Sequence, residues 1–382
     1  MKAFFQNILF ELRAVFTDFG VLLVMVAAVI LYAFVYPLPY AREVLQKVPV
    51  VVIDEDQSAL SRRLIRMVDA SNLVRVTGYP ATVRDARALI SSGQASALLR
   101  VPRRFEENLV RGKPAHVSTY VDATYFLVYR QASTGLVKAI RTLSAGIAVR
   151  RLQALGLSYE KAIVDRSPLS FIGRPLFNPH QGYATYIVPG VFVLLLQQTM
   201  LIGVGMLAGT RREKPLTEVL GNPLRGKTGL RILSRTIACM MLYYIHVLFI
   251  YGVAYRIWDL PRTSELGRIA LFLFPFLAAC ALLAQALAAL FKTRETAIVM
   301  LIWSSMLAVL VSGFSWPVES IPRWLRATSM LVPSTTAIVG MLRLTQMGAS
   351  FQQVLNEWAW LWALCGLYLT PVSYTHLRAH ET

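Results

Sequence analysis

Five stretches of this 382-residue chain run for 18 to 26 residues without one Asp, Glu, Lys or Arg: 19–36, 183–208, 236–255, 269–291 and 297–316. Crossing about 30 Å of hydrocarbon takes about 20 apolar residues at 1.5 Å each, and a backbone without water must bond to itself, so each stretch reads as a membrane-spanning helix. A soluble enzyme is excluded by the same pattern, since only 16% of the residues are charged, well below the share usual in soluble domains. A sixth apolar run, WAWLWALCGLYLT from Trp358, is stopped after 13 residues by Pro371 and is too short to span. The tail that follows, residues 371–382, has neither apolar continuation nor a basic cluster and is expected to be an assembly scar foreign to the natural protein. Its His376 and His380 sit four apart, but two histidines at a chain end are weak grounds for a metal site, and no metal is expected.

The polar block between the first two spans, residues 41–180, holds 21 basic and 11 acidic side chains, more than half of the chain's excess of +18. Its hydrophobic period alternates. VPVVVIDED reads as a strand, Ser58–Ala70 as a helix, Leu73–Gly78 as a strand, Thr82–Ser91 as a helix, Ala95–Val101 as a strand, Pro102–Val110 as a helix, Ala115–Val121 as a strand, and Phe126–Leu155 as a long helical stalk. The expected fold is a polytopic α-helical membrane protein of six transmembrane helices, the sixth truncated, with an inserted α/β domain. Asp54, Glu55 and Asp56 cluster at a strand end without a His, Cys or Lys nearby in sequence, so ordinary turn chemistry accounts for them as well as catalysis does. Cys239, Cys280 and Cys365 all lie in apolar runs and read as small buried hydrophobes rather than a disulfide framework.

Residues 1–18 lack the charge pattern and cleavage site of a secretory signal. Phe4, Phe5, Ile8, Leu9, Leu12, Val15 and Phe16 recur at helical spacing opposite Gln6, Glu11 and Arg13, the pattern of an amphipathic helix lying on the membrane surface. With the N-terminus inside, the inner segments 1–18, 209–235 and 292–296 carry eleven basic residues against six in the short outer ones, Arg256, Arg262, Arg268, Arg323, Arg326 and Arg343. Trp258, Trp316, Trp324, Trp358, Trp360 and Trp362 then gather at the outer ends as an interfacial belt, and residues 41–180 are extracytoplasmic. Nucleic acid is not an expected partner there.

Gly221–Thr228 matches G-x-x-x-x-G-K-[ST], the phosphate-cradling loop in which Lys227 would meet the nucleotide. A working loop of that kind follows a hydrophobic strand in a doubly wound domain, whereas this one lies between two spans after the amphipathic EKPLTEVL, so no nucleotide is expected on this chain.

The segment Thr210–Arg225, TRREKPLTEVLGNPLR, resembles the stretch after the second span in type-2 ABC transporter permeases. The resemblance extends to Phe177-Asn-Pro179 and Val188-Pro-Gly190, to IDEDQSALSRRLIRMVDAS and YVDATYFLVYR, and to the layout of spans; Pro215-Leu216 departs from the glycine usual before the threonine. It implies a permease subunit of an exporter, working as a homo- or heterodimer with a separate cytoplasmic ATPase that holds the ATP and magnesium, and with a possible periplasmic fusion protein. It also makes the 209–235 loop the coupling element, in which Glu213 and Glu218 would meet basic groups on the ATPase while Leu216, Val219 and Leu220 form an apolar ridge; the plainer alternative is a helix resting on headgroups.

Ion-coupled carriers place carboxylates or histidines inside their spans, and the five complete spans contain no carboxylate, which disfavours that class. A membrane-anchored extracytoplasmic binding protein is the other alternative. The polar residues within the spans, Gln197, Gln198, His246 and Gln285, are the candidates for a substrate route, with interhelical hydrogen bonding as the competing role, and their mild polarity suits an amphiphilic, drug-like or lipid-like cargo in contact with membrane lipid.

Overall fold

The computed structural model describes residues 2–41, 43–169, 173–213, 228–313, 316 and 318–378, with side chains to residue 371. It divides into two compact units, Val44–Arg174 and the remainder, Met1–Glu43 with Pro175–Thr382.

The helical unit opens with α1 (Lys2–Thr17) and α2 (Phe19–Tyr40). Asp18 caps α2 by accepting from the Val21 amide at 3.1 Å, and the helix passes through a π-helical turn at Leu23–Ala27.

In the other unit, β1 (Val48–Asp54), α3 (Ala59–Asp69), β2 (Val74–Gly78), α4 (Val83–Ser91), β3 (Ala97–Val101), α5 (Phe105–Val110), β4 (Ser118–Val121), α6 (Phe126–Ala154) and α7 (Tyr159–Arg166) follow in order. The sheet order is β2-β1-β3-β4, parallel except for the antiparallel β3–β4 pair. Alternation along β1 divides two cores: Val48, Val50 and Val52 pack with α3 and α6, while Val51 and Ile53 pack with Ala86 of α4 on the other face. A capping box between Thr82 and Asp85 starts α4, and the Ser58 hydroxyl starts α3. The acidic turn after β1 is structural. Asp54 accepts from the Asp56 and Gln57 amides and from the Ser61 hydroxyl at 2.6 Å, Glu55 pairs with Arg100 at 2.8 Å, and Asp56 accepts from the Phe105 and Glu106 amides at the start of α5. Partial burial works to raise the Asp56 pKa, and hydrogen bonds from Ser58 and these amides outweigh it and hold the carboxyl below its usual range.

The helical unit resumes with α8 (Tyr183–Glu213), α9 (Thr228–Ile257, with a π-helical turn at Ile250–Ala254), α10 (Leu266–Ala288), α11 (Arg294–Val311), α12 (Arg323–Ser329), α13 (Pro333–Thr345) and α14 (Leu355–Arg378). Among the described residues five helices, α2 and α8 to α11, are long and apolar enough to cross a membrane. The central one is α8, whose Val188, Phe192, Leu196 and Met200, each four residues on, are fully buried and form a ridge against its neighbours. Two close approaches require glycine: a Cβ at Gly203 would collide with Met25 of α2, and one at Gly209 would lie 2.5 Å from the Arg294 amide nitrogen.

Three expectations are revised. Pro371 does not end the last helix. α14 begins at Leu355 and continues through Pro371 to Arg378, giving 24 residues, about 36 Å. Proline lacks one donor and clashes with one carbonyl, and a packed helix tolerates both where neighbours hold it; Leu361, Leu364, Cys365 and Tyr368 are buried beside α10 and α13. Second, the segment read as an outer loop around Arg323–Arg343 contains α13, a 13-residue helix buried among α8, α10 and α14. Third, the buried stripe of α1 is mixed: Asn7 and Glu11 are buried together with Ile8 and Val15, while Gln6 and Arg13 are exposed and Phe5 and Leu9 are 61% and 66% exposed. The two polar members of that stripe are tolerated there because each finds a protein partner.

Candidate functional site

A network of charged side chains closes one end of the helical unit, where residue 213 leaves α8 and residue 228 opens α9. Glu11 of α1 is 3% exposed and receives both nitrogens of Arg211 at 3.2 and 2.7 Å, and Arg235 of α9 at 3.2 Å. Burial works to raise its carboxyl, and the guanidiniums of Arg235 and Arg211 overcome that and bring it to about 2. The triad is thus ionised at any physiological pH, with one positive charge in excess. Beside it the Asn7 amide donates to the Ser234 hydroxyl at 2.5 Å, and Arg211 lies over the Phe10 ring at 5.8 Å.

Two further ties complete the network. Arg294 at the start of α11 makes a bidentate pair with Asp18 at 2.6 and 2.8 Å and donates to the Thr210 hydroxyl at 3.1 Å; the hydrogen bond from Arg294 holds the Asp18 carboxyl below its usual range. Glu213 accepts from the Arg294 amide at 2.7 Å, at the positive end of the α11 dipole. Arg212 donates to the carbonyls of Ala288 and Phe291 and so satisfies the C-terminus of α10. The α8 flank of the connection to α9 is therefore bonded to α1, α10 and α11, and the α9 flank to α1, while Arg294 links α11 to Asp18 at the start of α2. A displacement of that connection has to move these helices together or break buried ion pairs.

Of the residues expected to couple, Glu213 is found in this network. Leu216, Glu218, Val219 and Leu220 lie outside the described residues, as does Lys227. Sequence reasoning missed Glu11, Asp18, Arg211, Arg235 and Arg294 as a constellation, taking the basic ones only as topology signals. The available signal was a lone carboxylate at position 11 flanked by apolar residues, next to a span.

The four substrate-route candidates are not brought together. Gln197 Oε1 accepts from the Ser334 amide at 2.8 Å and so caps α13. His246 Nε2 is bonded to the Met25 carbonyl at 2.8 Å, in the π-helical turn of α2, and its ring meets Tyr243 edge-on. Gln285 donates to the Thr236 hydroxyl at 2.9 Å. Gln198 Oε1 has no hydrogen-bond partner among the described residues, and neither have the buried hydroxyls of Ser334, Thr335 and Thr336 at the head of α13. These three were not anticipated, although Pro333-Ser-Thr-Thr336 before an apolar run is a recognisable helix start. At the end opposite the charge network, Trp258, Trp358 and Trp360 donate their indole N–H to the carbonyls of Ala33, Leu271 and Met330. Among the described residues no group of three or more His, Cys, Asp or Glu is placed to hold a metal.

Several helices of membrane-crossing length in one bundle define a multi-pass membrane protein. Residues 19–373 match the model of the ABC-2 family transporter proteins, and the chain belongs to that family. Its similarity to the protein named "Probable multidrug ABC transporter permease YbhR" of Escherichia coli K12 is 21% identity over 335 residues, covering 85% of this chain and 84% of that one; the O157:H7 counterpart gives the same figures. A crystal structure of a domain of an ABC type-2 transporter candidate from Thermotoga maritima MSB8 matches at 19% identity with a TM-score of 0.24, covering 32% of this chain and 81% of that one. Members of the family are membrane components rather than ATPases.

Proposed function

We propose that this chain is the permease subunit of an ATP-driven exporter, moving an amphiphilic, drug-like or lipid-like substrate out of the cytoplasm or the inner leaflet. The observation that carries the reading is that both flanks of segment 214–227 are tied to one buried carboxylate, Glu11, through Arg211 and Arg235, with Glu213 held to the start of α11, in a member of the ABC-2 family. A docked ATPase that pushes on this segment would move α1, α2, α8, α9 and α11 as a set. Glu213 acts in this reading as the hinge tie to α11, while Leu216, Glu218, Val219 and Leu220 make the ATPase contact. The name of the YbhR relative supports drug-like cargo. The chain binds no cofactor itself; ATP and magnesium belong to the partner. A second permease subunit completes the pathway, and α2 and α11, whose apolar faces are mostly exposed, face it or lipid. α14 makes the sixth span, and Val44–Arg174 stands outside the inner membrane, where a periplasmic fusion protein could reach it.

Purified alone, the chain is expected to hydrolyse no ATP and to show background nucleotide photolabelling, unchanged by Lys227→Ala; co-expressed with its ATPase, it should drive ATP-dependent uptake of a fluorescent amphiphilic dye into inverted vesicles. Strong Lys227-dependent labelling of the isolated chain overturns the assignment. The orientation is read separately. In a background lacking Cys239, Cys280 and Cys365, an impermeant thiol reagent on intact spheroplasts should modify Ser91→Cys and spare Lys227→Cys, and the reverse pattern refutes the topology.

A further inference from the structure

Within Val44–Arg174, the face of α6 carrying Ile140, Leu143, Ser144, Ile147 and Arg151 does not close against its neighbours. These residues recur at helical spacing on one side, and between them, α5 and the segment leading into β4 lies a cavity of about 390 Å³. That volume is within the ~300–1,000 Å³ of small-molecule pockets and toward their lower end. Its floor is apolar and buried, made by Leu64, Phe105 and Leu143. Its rim is polar: Ser144, His116 and Arg151 are exposed there, and no acidic residue is among the lining. The Arg151 guanidinium donates to the Leu109 carbonyl at the end of α5, which anchors it over the opening, and that contact engages one of its two terminal nitrogens. The surrounding unit carries 20 basic and 10 acidic side chains, so its field also favours an anion.

We propose that this groove binds an amphiphile with a single hydrocarbon tail and an anionic head, the tail lying over Leu64, Phe105 and Leu143 and the head meeting Arg151, His116 and Ser144. An apolar floor desolvates a tail, and a basic rim without carboxylates selects the head by charge. The volume is too small for a folded peptide segment and the floor too deep for a flat protein contact. The site is separate from the spans and does not depend on the permease reading.

The test uses the full chain in nanodiscs of zwitterionic lipid, illuminated with a photoactivatable diazirine analogue of palmitate and mapped by peptide mass spectrometry. Label is expected on peptides covering 105–117 and 140–151. Arg151→Glu should lower it about tenfold, as loss of a charge-assisted contact predicts, and His116→Glu, which places a carboxylate at the exposed rim, should lower it in the same direction. Ala148→Trp, which fills the cavity, should do the same, while label on the apolar helices stays constant and reports an intact protein. Unlabelled palmitate should compete and hexadecanol should not. Absence of label from these two peptides, label indifferent to all three substitutions, or equal competition by the alcohol would overturn the proposal.

Discussion

Glu11→Gln is expected to destabilise the helical unit by about 3–5 kcal/mol, because it leaves two partly buried guanidiniums facing each other without their anion. Arg235 and Arg211 are 14% and 23% exposed at the side chain, so water screens little of that repulsion. The loss would be read as reduced thermal survival of the purified protein in size-exclusion chromatography. Adding Arg211→Gln should restore part of it, since the pair then has one charge fewer to bury; a double variant no more stable than Glu11→Gln refutes the coupling. The pH dependence follows from the direction of the shift. Glu11 falls from 4.5 to about 2 on folding, so the triad's contribution is complete above about pH 4.5 and disappears as the pH drops through 2. Between pH 5 and 8 stability from this source should be flat.

The second large effect concerns transport. If segment 214–220 inserts into a groove on the ATPase, Leu216→Asp or Leu220→Asp places an unpaired carboxylate in an apolar contact at a cost of several kcal/mol. ATPase co-purification should fall and dye uptake into inverted vesicles should cease, with expression and membrane insertion near wild type. Glu213→Ala should weaken transport less, although it also removes the acceptor for the Arg294 amide. Retention of full transport by both aspartate variants would leave this segment as a rest on the headgroups.

The parts of the fold readable from sequence are those governed by one-dimensional periodicity. Runs without charge mark α2 and α8 to α11, and the alternation of Val48 to Ile53 between two cores is what a strand with helices on both faces requires. Unreadable features depend on what lies beside a residue in three dimensions. Asn7 and Glu11 look like a solvent face until the neighbouring helix is known to present Ser234 and Arg235, residues more than 220 positions away. α13 has too few residues to cross a membrane, so a search for spans passes over its Pro-Ser-Thr-Thr start; its burial among three helices shows its place in the bundle. The route candidates illustrate the same limit, since Gln197, His246 and Gln285 each serve a different helix pair.

The burial of Glu11 in α1 also sets an order of events during synthesis. Glu11 is made early, but the first of its partners comes 200 residues later and the second 224 residues later. At ~5–20 residues per second that interval is on the order of tens of seconds. Throughout it the carboxylate has no cation of its own to bury against, so α1 must wait at the water boundary while α2 is already threaded. Docking of α1 becomes favourable only when α8 and the start of α9 have both emerged. α1 is thus translated well before it can be seated, and its arrival reports that the part of the bundle carrying Arg211 and Arg235 is in place.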